Sequence, residues 1–132
     1  MRRALVIFVM VSTSCALDSL VRPAYIRSTG NGLCGSTIAL DSNNQKLNER
    51  GCENGTVGVW GRGFATKEQA QAVHDAFTPL KAGIECLPTD GGEPRTRVSY
   101  TLYEGTTRAN WTVCNVADAG VWTALDDAFN AL

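Results

Sequence analysis

Between Val98 and Val113 the large apolar residues fall on alternate positions, first Val98, Tyr100 and Leu102, then Ala109, Trp111 and Val113. That period of two marks a pair of half-buried strands. A two-residue Glu104-Gly105 turn pairs Val98 with Trp111, Tyr100 with Ala109 and Leu102 with Thr107. The apolar set then lies on one face, with Arg97, Ser99, Thr101, Arg108, Asn110 and Thr112 on the other. A slip of one residue would turn every side chain over, so the pattern constrains the pairing strongly.

A second hairpin is predicted in CGSTIALDSNNQKLNERGC, residues 34–52, folded about Asn43. Ser42-Asn43-Asn44 forms a three-residue loop with Asn44 at the left-handed position that asparagine tolerates. Ile38 falls opposite Asn48, Ala39 opposite Leu47 and Cys34 opposite Cys52.

The period changes to three or four residues in two other stretches. Thr66-Lys67-Glu68-Gln69 has capping-box spacing ahead of Ala70, Val73, Phe77 and Leu80, and Pro79 is expected to disturb the last turn. A second helix is expected from Asp118 as N-cap, with Trp122, Leu125, Phe129 and Leu132 on one stripe. Both stripes need an apolar partner, which the inner face of the sheet supplies. The expected fold is α+β: an antiparallel sheet built from two hairpins, two amphipathic helices packed on one face, and two disulfides.

The helical segments 72–80 and 124–132 agree at five of nine positions, and at the same offset of 52 Thr66 aligns with Asp118 and Cys34 with Cys86. Either a duplicated strand-strand-helix unit or convergence of two helices that pack on one sheet accounts for this.

The front of the chain has another character. Met1-Arg2-Arg3, an uncharged run from Ala4 to Val11 and a small polar segment form the three-part layout of an export signal, and eight apolar residues are too few to span a bilayer. Val11-Ser12-Thr13-Ser14-Cys15 resembles a bacterial lipobox, with Ser12 where leucine is usual. That resemblance implies a signal peptide over 1–14, lipidation of Cys15, a short tether over 15–23 and one domain over 24–132. The localisation implied is the cell envelope, lipid-anchored; ordinary cleavage would instead give a secreted soluble protein. Removing residues 1–14 from the 132 leaves 118, enough for one modest core.

Charge then narrows the partners. Loss of Arg2 and Arg3 moves the net charge from −1 to −3, and no Lys/Arg cluster remains to attract a phosphate backbone, so nucleic acid is not an expected partner. The membrane is reached through the lipid anchor only.

Cysteine spacing points the same way. Cys34, Cys52, Cys86 and Cys114 are separated by 18, 34 and 28 positions, without the C-x₂-C pair of a structural zinc site, so no metal is expected. In an exported chain they read as two disulfides. Three connectivities are open; the first hairpin brings Cys34 to Cys52 and leaves Cys86 for Cys114.

Candidate chemistry is sparse. Gly30-Asn31-Gly32-Leu33-Cys34-Gly35 matches G-x-G-x-x-G, but a strand follows it where a phosphate-binding fingerprint needs a helix, so it reads as a turn into the disulfide hairpin. His74 is the only histidine and lies beside the apolar stripe of its helix, with no ligating or activating partner nearby in sequence. Asp126 and Asp127 are adjacent on a helix, point apart, and read as helix solvation. No nucleophile elbow occurs. No cofactor and no catalytic residue are expected.

Two segments read as binding loops. VWGRGF, residues 59–64, places Trp60, Arg62 and Phe64 among glycines, and ECLPTDGGEP, residues 85–94, carries Leu87, Pro88, Thr89 and Asp90 next to the tethering Cys86.

The order YIRSTGNGLCG, STIALDSN, a helix, YTLYEGTTRANWTV and a closing amphipathic helix resembles emfourin-type small bacterial protease inhibitors, together with bacterial lipoproteins of the same layout, over most of residues 24–132. A fainter resemblance is to subtilisin-inhibitor-like proteins, which also present a Cys-Pro-containing loop. Here Leu87 separates Cys86 from Pro88, and no reactive-site residue is carried over. The resemblance implies a non-catalytic domain that binds a secreted or periplasmic protein such as a protease. A purely structural envelope lipoprotein is the alternative expectation.

Overall fold

Strand β1 (Ala24–Gly30) runs through the middle of the molecule and pairs antiparallel on both sides, with β2 (Cys34–Leu40) and with β6 (Arg97–Glu104). The computed structural model describes residues 19–30, 34–52, 57–87 and 97–132, with the backbone alone at Cys52, at residues 57–60 and at Arg97. β3 (Gln45–Cys52) and β4 (Val57–Phe64) extend the sheet beyond β2, and β7 (Thr107–Thr112) extends it beyond β6. The order is β4-β3-β2-β1-β6-β7. Helix α1 (Lys67–Lys81) follows β4, and α2 (Gly120–Asn130) closes the described chain after a two-residue pair of strands, β5 (Cys86–Leu87) with β8 (Asn115–Val116). The fold is α+β, but the sheet has six strands, because β1 and β4 join the two hairpins that the alternation marks.

The first hairpin has the expected register, with Ile38 opposite Asn48, Ala39 opposite Leu47 and Cys34 opposite Cys52. Asn44 has φ +62°, the left-handed conformation that closes a three-residue loop. Asp41, 3 % exposed, fixes that loop: its Oδ1 accepts from the N–H groups of Asn43 and Gln45, both at 2.9 Å, and its Oδ2 from Val21 N–H at 3.1 Å. Within the segment read as a tether, the described residues 19–23 therefore meet the domain closely, and Leu20 is buried against the sheet.

The second hairpin differs from expectation by two residues. Tyr100 stands opposite Trp111, Leu102 opposite Ala109 and Glu104 opposite Thr107. The turn is Gly105-Thr106, with Gly105 at φ +56°, the conformation that the first central position of a II′ turn requires. A shift of two keeps each side chain on its face, so the apolar pattern could not distinguish the registers; the glycine's place in the turn decides between them.

Both helices cover one face. Phe77, with no exposed surface, is central: its ring lies 4.8 Å from Tyr25, 6.2 Å from Tyr100 and from Trp111, and 6.1 Å from Phe129. Val73, Ala76 and Leu80 of α1 and Leu125, Ala128 and Phe129 of α2 complete this core with Leu40 and Leu102 of the sheet. The other face carries a smaller cluster of Leu20, Ala24, Ile26, Ala39 and Leu47, with Tyr103 packed beside it.

The capping box at α1 is formed as the spacing predicts, with Thr66 Oγ1 accepting from Gln69 N–H and Gln69 Oε1 accepting from Thr66 N–H. The helix continues two residues past Pro79, which has no N–H to give the Asp75 carbonyl, so the expected disturbance of the last turn does not end the helix there. At α2, Asp118 sits one residue outside the geometric cap, yet its Oδ1 accepts from Gly120 N–H at 3.1 Å.

The offset of 52 acquires a structural counterpart. It maps β3 (45–52) onto β6 (97–104) residue for residue, and α1 onto α2. The alternating strand directions and the order of the sheet place the hairpins β3–β4 and β6–β7 at opposite edges, their strands related as by a two-fold rotation normal to the sheet. Both helices lie over β1 and β6, so the relation does not extend to them.

Candidate functional site

Of the glycine-rich motif, Gly30 ends β1 and Cys34 and Gly35 begin β2, while residues 31–33 lie outside the described residues. Gly30 pairs with Gly35, and a Cβ on Gly35 would come within 3.1 Å of the Thr29 carbonyl oxygen, so the close approach of two strands accounts for that glycine.

VWGRGF is not a loop but the body of β4, at the edge of the sheet. One of its glycines marks a close contact: a Cβ at Gly63 would lie 3.3 Å from Lys46 Cε, so the Lys46 side chain uses the space that glycine leaves, whereas a Cβ at Gly61 would meet nothing within 4 Å. Trp60 is the extra residue of a bulge, since Gly61 pairs with Asn48 while Val59 pairs with Glu49. Arg62 and Phe64 pair with Leu47 and Gln45, on the face away from the helices; both are exposed, Phe64 at 74 %.

Leu87 lies in β5 and is 43 % exposed. Its neighbour Cys86 is joined to Cys114, and Cys86-Leu87 pairs with Asn115-Val116. Trp122 Nε1 donates to the Cys114 carbonyl at 2.6 Å, and the same indole stacks on Tyr100 at 5.9 Å, so the bridge is keyed into the main core. Pro88, Thr89 and Asp90 lie outside the described residues, as do Cys15 and the whole of the export segment 1–14. Only the Cys86–Cys114 bridge of the two expected disulfides is described. Cys34 and Cys52 face each other in the ladder, and the Cys52 side chain is among those not described.

The arrangement that the sequence does not announce is at His74. Its Nδ1 lies 2.6 Å from the Tyr25 hydroxyl, across 49 positions of chain, with the two rings edge to face. Burial holds the Tyr25 phenol above its ordinary range, an effect that the nearby Lys81 opposes and Glu104 reinforces. The phenol therefore keeps its proton, and its hydrogen bond to Nδ1 leaves Nε2 as the ring nitrogen outside that bond. Lys81 and Glu104 themselves form an ion pair at 2.9 Å, and that hydrogen bond raises the Lys81 ammonium.

The pair borders a cleft of about 370 Å³ between the β2–β3 turn and α1, lined by Pro23, Tyr25, Leu40, Asp41 and Ala70 together with the rim residues Ser42, Asn44, Lys67, Gln71 and His74. The carboxylate in this lining, Asp41, is engaged by three backbone N–H groups, which makes it a structural acceptor. No activated nucleophile stands in the cleft among the described residues. What it offers is binding: an apolar floor with donors on its rim.

Asp126, read from sequence as solvation, has a partner under the helix. Arg27, 9 % exposed on the helix-facing side of β1, donates to Asp126 Oδ1 at 2.6 Å and to Asn130 Oδ1 at 2.8 Å, and lies over the Phe129 ring. Arg27 is the buried member of this latch, and Asp126 and Asn130 hold it from the solvent side of α2. Among the described residues no group of three or more His, Cys, Asp or Glu could hold a metal ion, and no helix is long and apolar enough to cross a membrane.

No protein-family model matches this chain, and no curated protein matches it either.

Proposed function

We propose that the protein is an exported, lipid-anchored, non-catalytic binding domain that presents the segment following Cys86 to a protein partner, a secreted protease being the partner class. The observation that carries this reading is the tethering of an exposed extended strand: Leu87 stands open to solvent while Cys86 is bonded to Cys114 and the strand is paired with β8. A segment held extended before binding loses little conformational freedom on binding, which is how rigid inhibitory loops gain affinity. The described cleft adds no catalytic set to argue for turnover. A second bridge, Cys34–Cys52, is part of the proposal, because the ladder sets those residues opposite each other.

Inhibition assays against a panel of serine and metalloproteases, repeated with Leu87→Asp, test the function. Inhibition of a member of the panel, weakened at least tenfold by Leu87→Asp, supports it. No inhibition, together with no partner recovered from periplasm or culture fluid, overturns it. Intact-mass measurement of envelope-extracted protein tests the rest, through signal removal, acylation at Cys15 and the loss of four hydrogens to two disulfides.

A further inference from the structure

We propose that the cleft between the β2–β3 turn and α1 is a binding site for a small monocarboxylate with a flat apolar body, independent of the tethered strand.

Size sets the first limit: about 370 Å³ lies at the lower end of the range for small-molecule sites. The floor is apolar and rigid. Leu40 and Tyr25 are buried core residues, Ala70 comes from α1, and Pro23 closes one side, so a flat ring or short branched chain has a surface to lie on.

The donors are on one helix. Lys67, Gln71 and His74 are spaced four and three apart, which brings them to one face of α1 above the floor. Gln71 is steadied by its amide's bond to Asp75 at 2.8 Å. Lys67 has no ion-pair partner among the described residues. His74 is held by Tyr25 through Nδ1, which fixes the ring and leaves Nε2 outside that bond; with the Tyr25 hydroxyl taken as the donor to Nδ1, Nε2–H serves in this proposal as the ring's donor to the ligand.

Charge selects the ligand's head group. The negative group in the lining, Asp41, has its charge offset by the N–H groups of Val21, Asn43 and Gln45. It still opposes a second negative charge nearby. One cation and one oriented neutral donor therefore suit the two oxygens of a single carboxylate and disfavour a phosphate dianion.

The chain holds a single histidine, so the His74 ring gives an unambiguous NMR signal. Full-length domain is titrated with benzoate and, separately, with benzamide, its neutral counterpart. The expected result is a saturable shift of the His74 ring resonances with benzoate, binding about tenfold weaker with benzamide, and a loss of about tenfold for benzoate in Lys67→Gln, as removal of one charge-assisted contact implies. Lys67 is exposed at the first turn of α1, and the thermal midpoint of the variant is expected to stay that of the parent. No saturable shift, equal binding of benzoate and benzamide, or undiminished benzoate binding by Lys67→Gln would each overturn the assignment.

Discussion

Arg27 and Tyr100 show how the helix-facing side of the sheet mixes charge with aromatic packing. Arg27 is buried beside Asp126, Asn130 and the Phe129 ring, and Tyr100 lies between Trp122 and Phe77. Burial, with the Asp126 carboxylate adding to it and the Arg27 guanidinium opposing it, pushes the Tyr100 phenol up to about 12 from its ordinary 10.0. The direction of the resulting pH dependence follows from linkage. Above pH 10 the unfolded chain releases a proton that the folded one keeps, so stability complete below pH 10 is lost as pH rises toward 12, by about 2 kcal/mol at the upper end. Tyr25, raised in the same sense by burial, adds to that alkaline loss. Urea denaturation at a series of alkaline pH values is expected to show this decline, and Tyr100→Phe to flatten much of it. Neither the latch nor the Tyr25–His74 pair could be read from the chain. Asp126 is 99 positions from Arg27 and His74 is 49 from Tyr25, and neither periodicity nor spacing carries information over such a gap.

At the scale of elements, local chemistry was more legible. The capping box at Thr66, the left-handed Asn44 and the β2–β3 register all follow from neighbouring residues alone, and the structure has each of them. Failures came where the answer lies outside the segment. The β6–β7 register differs by two from the one the pattern suggests, because the apolar faces are the same in both pairings. VWGRGF reads as a loop because its glycines resemble turn residues, whereas it forms a strand in which Lys46 of the neighbouring strand uses the space that Gly63 leaves. β1 itself is half polar, and its central place depends on partners at both sides. The β2–β3 turn offers a direct check on this scale. Asp41→Ala removes the acceptor for three backbone N–H groups and is expected to cost about 2–3 kcal/mol. Amide exchange at Val21, Asn43 and Gln45 should quicken together, while the α1 capping box, built from separate residues, keeps its protection.

On the scale of the whole molecule, the β3–β4 and β6–β7 hairpins form opposite edges of one sheet, both helices cover a common face, and the Cys86–Cys114 bridge stands outside that sheet. The bridge closes a loop between positions 28 apart, worth about 3–4 kcal/mol in the chain-entropy model. Replacing both cysteines by alanine is expected to lower the unfolding free energy measured in urea by that amount while far-ultraviolet circular dichroism keeps the sheet signal of the parent, because no strand of the six depends on the bridge for its pairing. The entry of the chain has a further, mechanical consequence. From Ser19 the polypeptide passes Asp41 and Ser42, which grip Val21, and then becomes the central strand. The bridged end, where Val113 bonds to Val98 and Arg97 pairs with Gly30, is at the opposite pole. A pull applied at Val21 would load its bonds to Asp41 and Ser42 before it reached β1, whose ladders on both sides anchor it at the centre of the sheet, so the far pole can be grasped by a partner while the load falls on doubly paired backbone.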